Sequence, residues 1–166
     1  MLEEIRQSVI PVMSKIFTTM FFLDIEPQEM GRVPGTPVAL FPNPPKVESP
    51  SGGFIRSRIR FEGPRSGVIS LILPDTLAKL MAKNFLGLEK EEASKSQAFD
   101  VAGELANIIS GNLLPALDKK GSYSLSLPET EPGDYPEGDH PGSRFGFALD
   151  FDAEGHWVQF SVFFDE

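Results

Sequence analysis

The chain has 166 residues, of which 40% are hydrophobic, and this length suits one domain with a substantial core rather than two. Its formal net charge of −9 argues against nucleic acid as a partner, because duplex binding needs clustered Lys and Arg to displace counterions. The absence of cysteine excludes a disulfide scaffold, thiolate zinc ligands and a cysteine nucleophile.

The N-terminal segment predicts a cytoplasmic protein. Glu3 and Glu4 stand where a signal peptide would carry basic residues, and no apolar run approaches the roughly 18 residues that a membrane helix needs. We therefore expect residues 1–166 to form a single domain with no membrane partner.

The first predicted element is an amphipathic helix over residues 2–23. Its apolar residues recur at spacings of three and four, at Ile5, Val9, Val12, Ile16 and Met20. Pro11 predicts either a kink or a fresh start within the run, and Pro27 follows its end. Residues 31–53 are rich in proline and are interpreted as a long connection, with a short strand at 38–41 and a proline-rich ligand segment as alternatives.

Residues 54–61 alternate as a half-buried strand does, and a turn at 62–67 and a second strand at 68–73 complete a hairpin. Ile55, Ser57, Ile59 and Phe61 share one side of the first strand, whereas Phe54, Arg56, Arg58 and Arg60 share the other. We interpret the three arginines, here called the arginine stripe, as the solvated face of a sheet. An anion-binding patch is the alternative.

The rest of the chain predicts two helices followed by strands. The helices cover residues 74–86, with Gly87 as a stop, and 94–117. One strand at 123–127, an acidic loop at 128–143 and a hairpin formed by 144–150 and 156–164 follow. The predicted fold class is therefore α+β, with a largely antiparallel sheet of about six strands packed against three main helices.

The long helix carries the most informative pattern. At about 100° per residue, its apolar residues form one arc: Val101, Ala102, Leu105, Ile108 and Ile109. The opposite stripe contains Asp100, Gly103, Glu104, Asn107 and Gly111. Glu104 and Asn107 are neighbours on that stripe, and the glycines predict a shallow bed for another molecule. Pro115 predicts that the helix bends or ends there. Glu104 and Asn107, taken by themselves, are also typical of ordinary surface residues.

Residues 103–108 followed by Gly111 resemble the Glu-x-x-Asn signature of the CheC/CheX chemotaxis phosphatases. Pro128 stands at the place of the proline that follows this signature in the family. The opening helix, the hairpin and the next helix also occur in the family's order. A single copy of the signature resembles CheX rather than the two-copy CheC arrangement.

The resemblance implies a phosphatase that removes phosphate from aspartate on a CheY-like response regulator. Asn107 would orient the attacking water, Glu104 would pair with a lysine of the receiver, and surrounding contacts are expected from Asp100, Gly103, Gly111 and Leu114. No cofactor of its own is expected, because the receiver brings Mg²⁺. The family also pairs through its sheets, which predicts a homodimer with the C-terminal hairpin as its edge.

Other functions remain open at this point. A CheX-like domain could bind a receiver or a flagellar-switch component without hydrolysis, or act as an oligomeric scaffold. A metal site at His140 and His156 with nearby acids is disfavoured, because loop acids and a strand histidine are more often solvated or packed. Ser110 has no credible base within its segment, so a serine nucleophile is disfavoured as well.

Overall fold

The computed structural model describes residues 2–28, 52–133 and 145–165. In chain order these form α1 (Leu2–Phe21), β1 (Ile25–Pro27), β2 (Phe54–Glu62), β3 (Gly67–Pro74), α2 (Asp75–Leu86), α3 (Lys95–Leu117), β4 (Ser124–Leu125), β5 (Glu129–Gly133), β6 (Phe145–Ala153) and β7 (His156–Phe164). The expected strand at 38–41 and most of the two long connections lie outside the described residues.

The seven strands form one antiparallel sheet in the order β1-β6-β7-β3-β2, with β4 and β5 both paired along the outer side of β2. Three helices pack against it, so the predicted α+β class is confirmed. β1 was not predicted. Its three residues follow the opening helix and pair with residues 151–153 of β6.

The core lies between the sheet and the helices. The inward sides of β2 and β7 are as predicted, since Ile55, Ile59 and Phe61 and the four alternate residues Val158, Phe160, Val162 and Phe164 are all buried. Phe163, on the opposite side of β7, is buried too. In α1, the buried face includes Ile5, Val9 and Ile16. α1 spans Pro11 without a break, and α3 ends two residues beyond Pro115 rather than at it.

The edge beside β2 differs from the prediction. The expected strand at 123–127 is reduced to β4, and the first part of the expected acidic loop is the strand β5. β2 offers unpaired backbone groups along this side, and pairing with them overrides the poor strand propensity of Glu129–Gly133. Pro132 is tolerated because it lies in an edge strand.

The arginine stripe is ion-paired rather than simply solvated. The guanidinium groups of Arg56 and Arg58 lie 3.9 and 3.8 Å from Oε1 of Glu131, which belongs to β5. Arg60 pairs with Asp165 and Glu62, and the hydrogen bond to Asp165 is the main reason that the pKa of Arg60 is raised above its ordinary value. Carboxylates of the same chain therefore occupy the positions that a bound anion would need.

Candidate functional site

α3 begins with a capping box that fixes its first turn. The Oγ atom of Ser94 accepts a hydrogen bond from the backbone N–H of Gln97 at 3.1 Å, and Oε1 of Gln97 accepts one from the backbone N–H of Ser94 at 2.8 Å. The apolar arc of the helix is buried against the core, with Val101, Leu105 and Ile109 among its members. This packing sets the rotation of α3 and directs its opposite stripe to solvent.

Glu104 and Asn107 are both exposed on that stripe, as predicted. Within the described part of the chain, neither side chain makes a hydrogen bond or an ion pair. Residues three apart on a helix have Cβ atoms about 5–6 Å apart, so a carboxylate and an amide stand side by side. Asp100 and Gly111 are exposed on either side of them, and we call these four residues the α3 outer face. Leu114, one turn beyond Gly111, is half-buried.

Gly103 does not belong to the open stripe, and its predicted exposure is wrong. It is buried because Thr130 and Pro128 cover it. A Cβ atom at this position would lie 3.0 Å from Oγ1 of Thr130 and 3.6 Å from Cγ of Pro128. Because glycine has no side chain, the edge of the protein's own sheet packs closely against α3 here, at a place that the sequence interpretation left open for a partner. Gly111 is different, since a Cβ atom there would meet nothing within 4 Å. Whether Gly103 contributes to partner contacts stays a prediction.

The tertiary structure brings Pro128 to the helix. Thr130 anchors this segment, because its Oγ1 atom lies 3.0 Å from Oγ of the buried Ser57 on β2. Pro128 thereby packs over Gly103, the residue before Glu104. The proline that the sequence resemblance singled out therefore borders the α3 outer face. The sequence interpretation missed its neighbour Leu127, which was assigned to the end of a strand and is 85% exposed.

The competing catalytic candidates find little support in the described residues. Ser110 is fully buried, so its hydroxyl is not available to a substrate. His156 lies in the β6–β7 hairpin with Nδ1 3.1 Å from the carbonyl oxygen of Ala153, and no group of three His, Asp or Glu side chains within the described ranges could hold a metal ion. His140 and Asp134 lie outside those ranges.

A cavity of about 370 Å³ is formed mainly by α2 and the loop before α3, and its polar lining comes from Asp75, Thr76, Lys79, Lys83 and Glu92. Lys79 and Asp75 form an ion pair within α2 at its wall, with Nζ 2.9 Å from Oδ2. Neither Glu104 nor Asn107 lines this cavity. Both are exposed on the α3 outer face, which makes them accessible to a macromolecule. None of the described helices is long and apolar enough to cross a bilayer.

Solved structures with the same fold include the chemotaxis protein CheX from Vibrio vulnificus, at 19% identity and a TM-score of 0.71, with 98% of this chain and 97% of that chain covered. The CheX–CheY–BeF3–Mg²⁺ complex from Borrelia burgdorferi matches at 14% identity and a TM-score of 0.60, with 97% of each chain covered. FliY from Thermotoga maritima matches at 15% identity and a TM-score of 0.60, with 97% and 86% covered.

At these identities the structures show the fold alone. Among curated protein sequences none matches this chain at a significant level. The family described as "Chemotaxis phosphatase CheX" matches residues 55–152, a span that runs from β2 into β6 and includes all of α3. More than half of the chain is matched, and the chain therefore belongs to the CheX family.

Proposed function

We propose that this protein accelerates the hydrolysis of phospho-aspartate on a CheY-like response regulator in chemotaxis or another two-component pathway. The observation that carries the proposal is the exposed pair Glu104 and Asn107 on α3, without hydrogen-bond or ion-pair partners in the described chain and bordered by Pro128. Family membership supports the same activity, and the Borrelia relative was crystallised with CheY, BeF3 and Mg²⁺.

Hydrolysis of the aspartyl phosphate requires few catalytic groups from this protein. An aspartyl phosphate is already activated, so hydrolysis needs a water molecule held in line with the phosphorus–oxygen bond and stabilisation of the developing charge. The carboxamide of Asn107 can accept a hydrogen bond from that water and donate one to a phosphoryl oxygen. Positioning of this kind accounts for a large rate gain without a nucleophile of the protein's own. Mg²⁺ would be held by the receiver and would neutralise phosphoryl charge there.

Glu104 is proposed to set the orientation in which the receiver docks. Its exposed carboxylate would pair with the receiver's lysine, while Asn107, three residues further on the same face, enters the phosphorylated pocket. Asp100, Gly111 and Leu114 are proposed to supply surrounding contacts because they lie on or beside the same stripe. The net charge of −9 favours encounter with a basic rather than an acidic partner surface.

We also propose a cytoplasmic homodimer. Among the described strands, β1 pairs with residues 151–153 of β6, and none pairs with the same side of the earlier part of β6. That part carries Phe145, which is 42% exposed. Pairing of this segment between two copies would protect an edge that otherwise invites aggregation. Sedimentation that shows only monomers at high protein concentration would contradict this assembly.

The alternative is a module that binds a receiver or a flagellar-switch component without hydrolysis. The likeness of the fold to FliY from Thermotoga maritima favours it. The Glu104–Asn107 pair favours the enzyme, because binding alone does not require an exposed amide beside the carboxylate.

The deciding experiment measures the lifetime of a phosphorylated CheY-type receiver with and without this protein. A shortened lifetime supports the phosphatase. Binding of the phosphorylated receiver with an unchanged lifetime supports the binding module. Neither binding nor shortening, across the receivers encoded in the same genome, contradicts both proposals.

A further inference from the structure

The edge strand beside α3 contains a β-bulge. Phe61 of β2 pairs with Leu125 of β4, whereas Arg58 pairs with Glu129 of β5. Residues 126–128 therefore lie opposite only two residues of β2, Ile59 and Arg60. One extra residue in a strand interrupts the alternation of its side chains, and such bulges often redirect a side chain next to a functional site.

The bulge turns Leu127 outward. Leu125 packs against the core opposite Phe61, so regular alternation would direct Leu127 inward opposite Ile59. The inward place is taken by Pro128, which packs over Gly103, and Thr130 then faces inward opposite Ser57. Leu127 is left 85% exposed, more than any other large hydrophobic side chain in the described chain.

The backbone holds this exposed side chain in a defined place. The N–H of Ser126 donates to the carbonyl oxygen of Arg60 at 2.8 Å, and the N–H of Arg60 donates to Oγ of Ser126 at 2.9 Å. β4 and β5 pair with β2 on both sides of the bulge. A side chain presented by a fixed backbone loses less conformational entropy on binding than one on a mobile loop.

We infer that Leu127 is a specificity-determining docking residue, which inserts into an apolar recess of the receiver beside its phosphorylated pocket. The inference rests on the proposed function and adds a contact outside the Glu-x-x-Asn helix. Four residues of helix rise about 6 Å from Gly103 to Asn107, and Leu127 follows one Cα step of about 3.8 Å from Pro128. Pro128 links these two steps, because its Cγ atom would lie 3.6 Å from a Cβ atom at Gly103. A standard interface of about 800 Å² per partner, centred on Asn107, has a radius of roughly 16 Å, which is comparable to the sum of the steps to Leu127.

The receiver is the occupant that this geometry favours, because the segment packed on Gly103 borders the site where the phosphoryl group is proposed to bind. In the proposed function, Glu104 contacts a lysine and Asn107 contacts a phosphoryl group, and both of these groups are common to receivers of this kind. An apolar contact just outside the pocket is free to differ between receivers, so it can select one of them. Burial of one leucine side chain is sufficient for roughly tenfold or greater discrimination.

The test compares Leu127→Ser with Leu127→Met, using a CheY-type receiver domain loaded with BeF3 and Mg²⁺ as the binding probe. Leu127→Ser should raise the Kd by about tenfold or more, and Leu127→Met should stay within about threefold of wild type. In turnover assays, Leu127→Ser should raise KM and leave kcat unchanged. Phe22→Asn is the matched control, because Phe22 is 73% exposed on a different element and has a positive φ that Asn tolerates.

The outcomes separate this inference from the proposed function. If wild type binds and dephosphorylates the receiver while Leu127→Ser leaves Kd and KM unchanged, the docking role is wrong and the phosphatase stands. A fall in kcat with unchanged Kd, or a loss of thermal stability that accounts for weaker binding, also overturns it. If wild-type protein neither binds nor dephosphorylates any receiver, the proposed function fails first and the docking role fails with it.

Discussion

Two polar surfaces of this protein look alike in the sequence and differ in the folded chain. The arginine stripe on β2 consists of cations that pair with Glu131, Glu62 and Asp165. On the α3 outer face, Glu104 and Asn107 have no such partner among the described residues, and both are exposed. A charged surface whose groups are satisfied within the chain contributes to structure, whereas one left unsatisfied and exposed is available to another molecule.

Replacing Asn107 by Ala should produce the largest effect. Loss of the carboxamide removes the group that positions water, so receiver-stimulated dephosphorylation should fall by roughly 100-fold or more. The fold should be unchanged, because the side chain is exposed. The measurement is the decay rate of phosphorylated receiver, with circular dichroism as the check on folding.

Asn112→Ala supplies the matched control on the same helix. Asn112 is exposed and its Nδ2 donates to the carbonyl oxygen of Ile108 at 2.8 Å, within α3 itself. Its replacement should leave the dephosphorylation rate near that of wild type. Equal activity losses in the two variants would remove Asn107 from the mechanism.

Charge reversal at Glu104 should have the next largest effect. Glu104→Lys replaces the proposed attraction to the receiver's lysine by repulsion, which should raise the Kd for the activated receiver at least about tenfold. Glu89→Lys reverses an exposed carboxylate in the loop before α3 and should change the Kd much less. Titration of both variants with BeF3-loaded receiver checks this. The docking role of Glu104 is excluded by an unchanged affinity.

The two glycines of α3 should respond to substitution in opposite directions. Gly103→Leu must displace Pro128 and Thr130, and should lower the free energy of unfolding by about 1–3 kcal/mol. Gly111→Ala adds a methyl group in open space and should raise it by about 0.5–1 kcal/mol, as expected for glycine replaced inside a helix. Denaturant unfolding measures both. Destabilisation by Gly111→Ala would indicate a contact that the described residues do not show.

The smallest effect is expected on the arginine stripe. Arg58→Gln removes a cation that is paired with Glu131, so dephosphorylation should stay within about twofold of wild type. A tenfold loss would instead favour the anion-binding role that the sequence left open. It would also show that pairing within the chain is a poor guide to function here.

The sequence sufficed for the parts of the site that depend on local periodicity. The burial of Val101 and Leu105 sets the exposure of Glu104 and Asn107, because residues on one helix keep fixed angular positions relative to one another. The same argument placed Gly103 on the open stripe, and there it failed. Side chains at the border of a helix face are covered or exposed according to what packs beside them, and the helix does not encode that neighbour.

The sequence alone therefore determined α3, its exposed acid and amide, and the hairpin of β2 and β3, since each follows from residue spacing within one segment. The tertiary structure decided the strand pairing of Glu129–Gly133, the pairing of the arginines with Glu131, and the bulge that packs Pro128 on Gly103 while turning Leu127 to solvent. An edge strand takes its register from the hydrogen-bonding groups of its partner, which lie far away in sequence, so its own residues cannot specify which of them face inward.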